Sequence, residues 1–89
     1  MVFAVLLHHR AAEELERVED QTRSRIEDRL RELRDNPEKI GKLLKNSDFW
    51  SLRVGDYRAI YEIDKHKKQV IILFIGRRKK VYDDFSKIF

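Results

Sequence analysis

One stretch limits the fold more than any other: W-S-L-R-V-G-D-Y-R-A-I-Y at 50–61. Apolar and polar residues alternate on both sides of Gly55-Asp56, and glycine supplies the positive φ that a primed two-residue turn requires. The pattern predicts a β-hairpin and fixes its register. Val54 should face Tyr57, Arg53 should face Arg58, and Leu52 should face Ala59. Trp50, Leu52, Val54, Tyr57, Ala59, Tyr61 and Ile63 then share one face, expected to be covered, while Ser51, Arg53, Arg58 and Glu62 share the other. Like charges directly opposite each other destabilise a sheet. An anion between the two guanidiniums would relieve the repulsion, and phosphate suits the planar fork. On pattern alone two other outcomes stay open: both arginines splay into water, or Arg58 pairs with Glu62.

The remaining chain supplies partners for this hairpin. Residues 2–7 are apolar and partly β-branched, which predicts a buried strand. From Arg10 to Asn36 the period becomes helical. Ala11, Leu15 and Val18 form one stripe and Ile26, Leu30 and Leu33 a second, with a break near 19–21 where Asp20 is expected to cap the second helix. Pro37 ends that helix, because the residue before a proline avoids the helical region. Residues 38–48 read as a connector with Ile40, Leu43 and Leu44 available to pack. After the turn D-K-H-K-K, the run Q-V-I-I-L-F-I-G is apolar on both parities, so it is expected to be a central strand covered on both faces. The tail V-Y-D-D-F-S-K-I-F spaces Val81, Phe85, Ile88 and Phe89 for a short helix with Asp83 and Asp84 in its first turn.

The expected order is β-α-α-β-β-β-α in a single domain, 1–89. This is an α+β fold with two N-terminal helices packed on one face of an antiparallel four-stranded sheet and a short C-terminal helix. The first strand is placed beside the last. With 42% hydrophobic and 40% charged residues the chain reads as globular. The absence of cysteine excludes a disulfide scaffold and a thiolate metal site. Three histidines without H-x-x-x-H spacing offer no metal site either, so neither metal nor cofactor is expected. The apolar start is too short for a membrane span, so the protein is expected to be soluble and cytoplasmic.

Net charge is +4, with a pI near 9.5. Residues 1–46 carry ten Lys/Arg and ten Asp/Glu, whereas 47–89 carry ten and six, so the whole excess lies on the hairpin half. A basic face of this kind points to a polyanion, nucleic acid first. Arg77, Arg78, Lys79 and Lys80 at the end of the last strand, with Tyr82 nearby, extend it. Together with Ser51 and Lys45 they make a candidate RNA-binding surface with an aromatic ring available to stack.

F-W-S-L-R-V-G-D-Y-R-A-I-Y at 49–61, A-x-x-E-L in the first helix, L-x-x-N-P at the end of the second and G-R-R-K-K-V-Y at 76–82 together resemble the RelE/ParE toxin superfamily along nearly the whole chain. The resemblance implies the toxin of a toxin–antitoxin pair. RelE-like members cut messenger RNA in the ribosomal A site without a metal, whereas ParE-like members poison DNA gyrase and typically lack the C-terminal arginine and tyrosine. Arg78 and Tyr82 stand at those positions here, which favours the RelE-like branch. A non-catalytic RNA-binding domain is the third reading. Under the first, Arg78 carries transition-state charge, Arg53 and Arg58 bind and orient phosphate, and Tyr82 stacks or moves a proton. Ser51 and Arg53 replace lysines of the best-known RelE pattern, which leaves the general base open among Lys45, Lys79 and Lys80, with His8 and His9 at the end of the first strand and His66 in a turn weighed as well but read first as exposed polar residues. The implied partners are the ribosome and mRNA, and an acidic RelB-like antitoxin in a hetero-oligomer. Phe85, Ile88 and Phe89 are expected to meet that antitoxin.

Overall fold

A computed structural model of the chain describes residues 2–77. The elements are β1 (Ala4–Leu7), α1 (His9–Glu16), α2 (Asp20–Glu32), α3 (Pro37–Ile40), β2 (Lys42–Leu43), β3 (Phe49–Val54), β4 (Tyr57–Asp64) and β5 (Gln69–Arg77). The strands form one sheet in the order β1-β5-β4-β3-β2. The expected C-terminal helix falls outside the described residues.

The hairpin folds as the sequence requires. Gly55 has φ of 60°, and Val54 pairs with Tyr57, Arg53 with Arg58 and Leu52 with Ala59. Leu52, Val54, Ala59 and Tyr61 are buried on one face against Ala11, Leu15 and Val18 of the first helical segment and Ile26, Leu30 and Leu33 of the second. Burying each of the Leu, Ile and Val side chains in this set is worth about 1.5–3 kcal/mol. Trp50 and Tyr57 pack at the margin of this core, and Trp50 stacks on Tyr61 with ring centroids 6.4 Å apart.

Five expectations need correction. The first strand is not buried: Ala4, Leu6 and Leu7 are exposed and Val5 alone of the strand packs against the core, because β1 lies at the sheet edge with a neighbour on one side only. The sheet has five strands, not four, because Lys42–Leu43 adds a two-residue strand beside β3, too short to leave a period in the sequence. The sheet is mixed rather than antiparallel: β1 lies beside β5, as expected, but runs parallel to it. Its direction is set by the helical crossover rather than by a turn, and a crossover permits parallel pairing. Pro37 does not merely follow α2. It occupies the first turn of α3, where its missing N–H costs nothing. Glu19, not Asp20, caps α2, accepting the Thr22 backbone N–H at 3.0 Å. The Thr22 hydroxyl donates to the same carboxylate oxygen at 2.8 Å, and this bond first, with the backbone contact second, holds the Glu19 carboxyl below its ordinary pKa.

The strand with apolar residues on both parities is indeed flanked by neighbours on either side, but it is not regular. Ile60 pairs with Phe74 and Tyr61 with Ile72, so Leu73 is an extra residue in β5. This β-bulge inverts the alternation. Val70, Ile72 and Ile75 face the helices, whereas Phe74 joins Ile60, Leu44, Phe49 and Leu73 in a small cluster on the opposite face.

Candidate nucleic-acid interface

The face away from the helices carries the expected arginine pair. Arg53 and Arg58 are directly opposed across β3 and β4, and Arg58 in turn pairs with Gly76 on β5. Directly paired residues point to the same side of a sheet, so one row reads Arg53, Arg58, Gly76. The glycine offers no side chain at that level.

The two guanidiniums do not converge on a point. Arg58 turns away from the hairpin tip and its Nη1 donates to the Ser51 hydroxyl at 3.1 Å. Arg53 turns toward the tip and its Nε donates to the Gly55 carbonyl at 3.2 Å. The two guanidiniums thus reach in opposite directions along the strands, toward Gly55 and toward Ser51. Ser51 is only 4% exposed, so its hydroxyl positions Arg58 rather than offering itself to a ligand. Arg58 is partly buried and Arg53 exposed. The first is a fixed anchor, and the second reaches into solvent.

The backbone beneath Ser51 is held by a buried latch. Tyr61 is fully buried, its hydroxyl donates to the Pro37 carbonyl at 2.6 Å, and the Gly41 backbone lies directly against that hydroxyl. Burial pushes the phenol pKa up to about 12. Gly41 leads directly into Lys42, which pairs with Ser51. The chain of support runs from Tyr61 through Gly41 and β2 to Ser51, and from there to Arg58.

The other candidates are placed as follows. Arg77 pairs with Tyr57 and lies 5.9 Å from its ring centroid, which puts it on the helix-covered face and not beside Arg58. The Leu73 bulge, invisible in the sequence, causes that switch. Lys45 is exposed in the β2–β3 turn. Four residues of strand separate that end of β3 from Arg53, roughly 13 Å at the usual rise. Arg78, Lys79, Lys80, Tyr82, Phe85, Ile88 and Phe89 lie outside the described residues. His8 caps α1, its Nδ1 accepting the Arg10 backbone N–H, and His66 is exposed in the β4–β5 turn. Sequence reasoning missed Gly41, Tyr61 as its partner, and Gly76. An isolated glycine inside an apolar strand was the available signal for the last.

Residues 5–82 match the family model described as the ParE toxin of type II toxin–antitoxin system, parDE. The chain belongs to the RelE/ParE toxin superfamily. It is 42% identical over 52 residues to Toxin RelE of Mycobacterium tuberculosis, a match covering 56% of this chain and 54% of that protein. The chain thus spans about half the length of that curated relative. Among solved structures it is similar to the toxin of the RelBE2 toxin–antitoxin complex from the same organism, with a TM-score of 0.81, 25% identity, and coverage of 88% of this chain and 93% of that one. A free mutant of E. coli toxin RelE superposes with a TM-score of 0.83 at 21% identity, covering 100% of this chain and 99% of that one, and so shares the fold.

Proposed function

We propose that the chain is the toxin of a type II toxin–antitoxin system and cuts mRNA as a metal-independent, ribosome-dependent endoribonuclease. The observation that carries this reading is the Arg58 guanidinium, tethered by Ser51 on the sheet face away from the helices and in one row with Arg53 and Gly76. In the reaction a ribose 2′-OH loses its proton to a base and bonds to the adjacent phosphorus. The bond to the 5′-oxygen breaks, and an acid protonates that leaving oxygen. Arginine stays protonated, so it serves neither as base nor as acid, but its fork binds and polarises the non-bridging oxygens. Arg58 fills that role from a fixed position, and Arg53 holds the neighbouring phosphate. Arg78 adds charge for the transition state and Tyr82 stacks on a base or moves a proton, as the family resemblance assigns them.

An acidic RelB-like antitoxin would silence the toxin in a hetero-oligomer, with Phe85, Ile88 and Phe89 among its contacts. The net charge of +4 and the similarity to a solved toxin–antitoxin complex support this partner. Action on translating ribosomes places the toxin in the cytoplasm.

Toeprinting on translated mRNA tests the reading. A discrete A-site cut is expected, lost in Arg58→Ala and in Arg78→Ala with circular dichroism unchanged. The family model, described for ParE toxins, favours a second reading as a gyrase inhibitor. Inhibited supercoiling without mRNA cleavage would establish that one instead. Neither activity would leave a non-catalytic RNA-binding domain.

A further inference from the structure

The two edges of the sheet are built differently. At one, β2 is two residues long and carries Lys42, and both features keep an edge from pairing with a foreign strand. At the other, β1 has neither protection. Ala4–Leu7 is uncharged and free of proline, and Leu6 and Leu7 are 44% and 40% exposed. Leu7 lies opposite the core residue Ile72 and so on the helix side, yet α1 packs mainly against β5 and the helix layer stops short of it.

The backbone shows which groups are open. The N–H groups of Ala4 and His8 donate to the Lys68 and Ile72 carbonyls, so the even-numbered residues face β5. Phe3, Val5 and Leu7 therefore face outward. The Phe3 N–H donates to the Arg34 carbonyl at 2.7 Å, which closes the lane at that end. Among the described residues, no hydrogen bond reaches the outward N–H and C=O groups of Val5 and Leu7. At the other end the chain turns into α1 at His9. The open lane runs from Ala4 to His8, as long as the strand that borders it.

We propose that a second copy of this chain fills the lane, its β1 pairing antiparallel with the first across a two-fold axis at Leu6. An axis perpendicular to the sheet keeps both helix layers on one side, so only residues that point to the same face can meet. With Leu6 opposite Leu6, Val5 of each copy meets Leu7 of the other, and both pairs exchange both backbone hydrogen bonds. No neighbouring register does this. Centring on Val5 requires Phe3, which Arg34 already holds, and centring on Leu7 requires His9, which is helical. The two Leu6 side chains meet in the non-hydrogen-bonded position, where side chains come closest, and cover each other. An acidic segment gains less here, because Ala4–Leu7 offers it no cation and the basic excess lies in residues 47–89. Few residues take part, so the interface falls below the roughly 1,200 Å² of a standard complex and the dimer forms at high concentration. Arg53 and Arg58 lie on other strands, so this pairing stands or falls independently of mRNA cleavage.

Sedimentation velocity of the full chain over roughly 10 to 500 µM should show monomer passing to dimer. Leu6→Lys and Leu6→Glu, at an exposed position, should each stay monomeric with thermal unfolding little changed. An equimolar mixture of the two should associate, because the introduced charges face each other across the axis. The chain has no cysteine, so Leu6→Cys gives a second readout. Under mild oxidation it should cross-link into a dimer, since directly opposed residues stand about 4.5–5.5 Å apart at Cα, within disulfide reach. Leu43→Cys, 55% exposed on the opposite edge, should not. A chain that stays monomeric throughout, a charge-swapped mixture that fails to associate, or equal cross-linking at both edges overturns the proposal. So does a monomeric chain whose Val5 and Leu7 amides become protected from hydrogen exchange only when an acidic antitoxin binds.

Discussion

Gly41→Ala is the substitution whose outcome the structure fixes most tightly. Gly41 has φ of −93° and ψ of −178°, a conformation open to alanine, so no torsional cost enters. The whole effect is steric. A Cβ there would sit 2.0 Å from the Tyr61 Oη, 2.9 Å from its Cζ and 3.0 Å from the Ser51 carbonyl oxygen. Neither neighbour yields easily: the phenol is fully buried and bonded to Pro37, and the carbonyl belongs to a paired strand. Overpacking a site of this kind costs about 1–3 kcal/mol. Displacing the phenol from Pro37 leaves buried polar groups unsatisfied, at about 1–3 kcal/mol more. A total of about 3 kcal/mol lowers the midpoint of thermal unfolding by roughly 12–24 °C in a domain of this size. Tyr61→Phe, which removes the oxygen but not the ring, should cost about 1–2 kcal/mol by itself. In the double variant the nearest obstruction is gone, so the two losses should fall short of adding by about 1 kcal/mol or more. Calorimetry or urea denaturation of the four proteins reads this directly. An unshifted midpoint in Gly41→Ala, or strictly additive losses, would show that the phenol does not occupy the space over Gly41. The same latch has a pH signature. The phenol's folded pKa is raised above the unfolded value, so its contribution is intact below pH 10 and is lost as pH climbs toward about 12. Tyr61→Phe should abolish that alkaline decline.

Other changes probe the site more directly. Ser51→Ala removes the acceptor that aims Arg58. It should cost about 1 kcal/mol of stability while reducing toeprint cleavage well beyond what unfolding explains, and cysteine or threonine at that position should recover less than serine. Gly55→Ala meets no atom within 4 Å but imposes φ of 60° on a residue with a Cβ. Urea denaturation should show a loss of about 1–2 kcal/mol with cleavage by the folded fraction retained. Glu19→Ala should loosen the start of α2. In the wild type the capping contribution is present above the ordinary carboxylate pKa and fades as pH falls through the lowered one, so an acid titration followed by circular dichroism should show that component missing in the variant.

Local rules carried much of the fold. The hairpin register, the burial of Ala11, Leu15, Val18, Ile26, Leu30 and Leu33, and the covered face with Tyr61 all follow from period and turn chemistry, which act over a few residues. The direction of β1 did not, because it depends on where a helical crossover returns the chain. The strand at Lys42–Leu43 and the helix at Pro37–Ile40 are too short to show a period. In the site, the Arg53–Arg58 pairing was legible, but the divergence of the side chains was not, since it depends on which acceptors, Ser51 and Gly55, each guanidinium meets. The location of Arg77 was missed for the same kind of reason: one inserted residue reverses every side chain after it.

That insertion at Leu73 decides what stands next to Arg58. With an unbroken ladder, Tyr61 opposite Ile72 would set Ile75, not Gly76, alongside Arg58, and a branched aliphatic chain would stand against the guanidinium. Phe74 would turn inward and compete with Ala59 for the crowded centre of the core. A half-period offset within one strand thus sets a glycine instead of a branched side chain beside the arginine and moves the bulky ring elsewhere, so what flanks Arg58 on β5 is written into strand phasing.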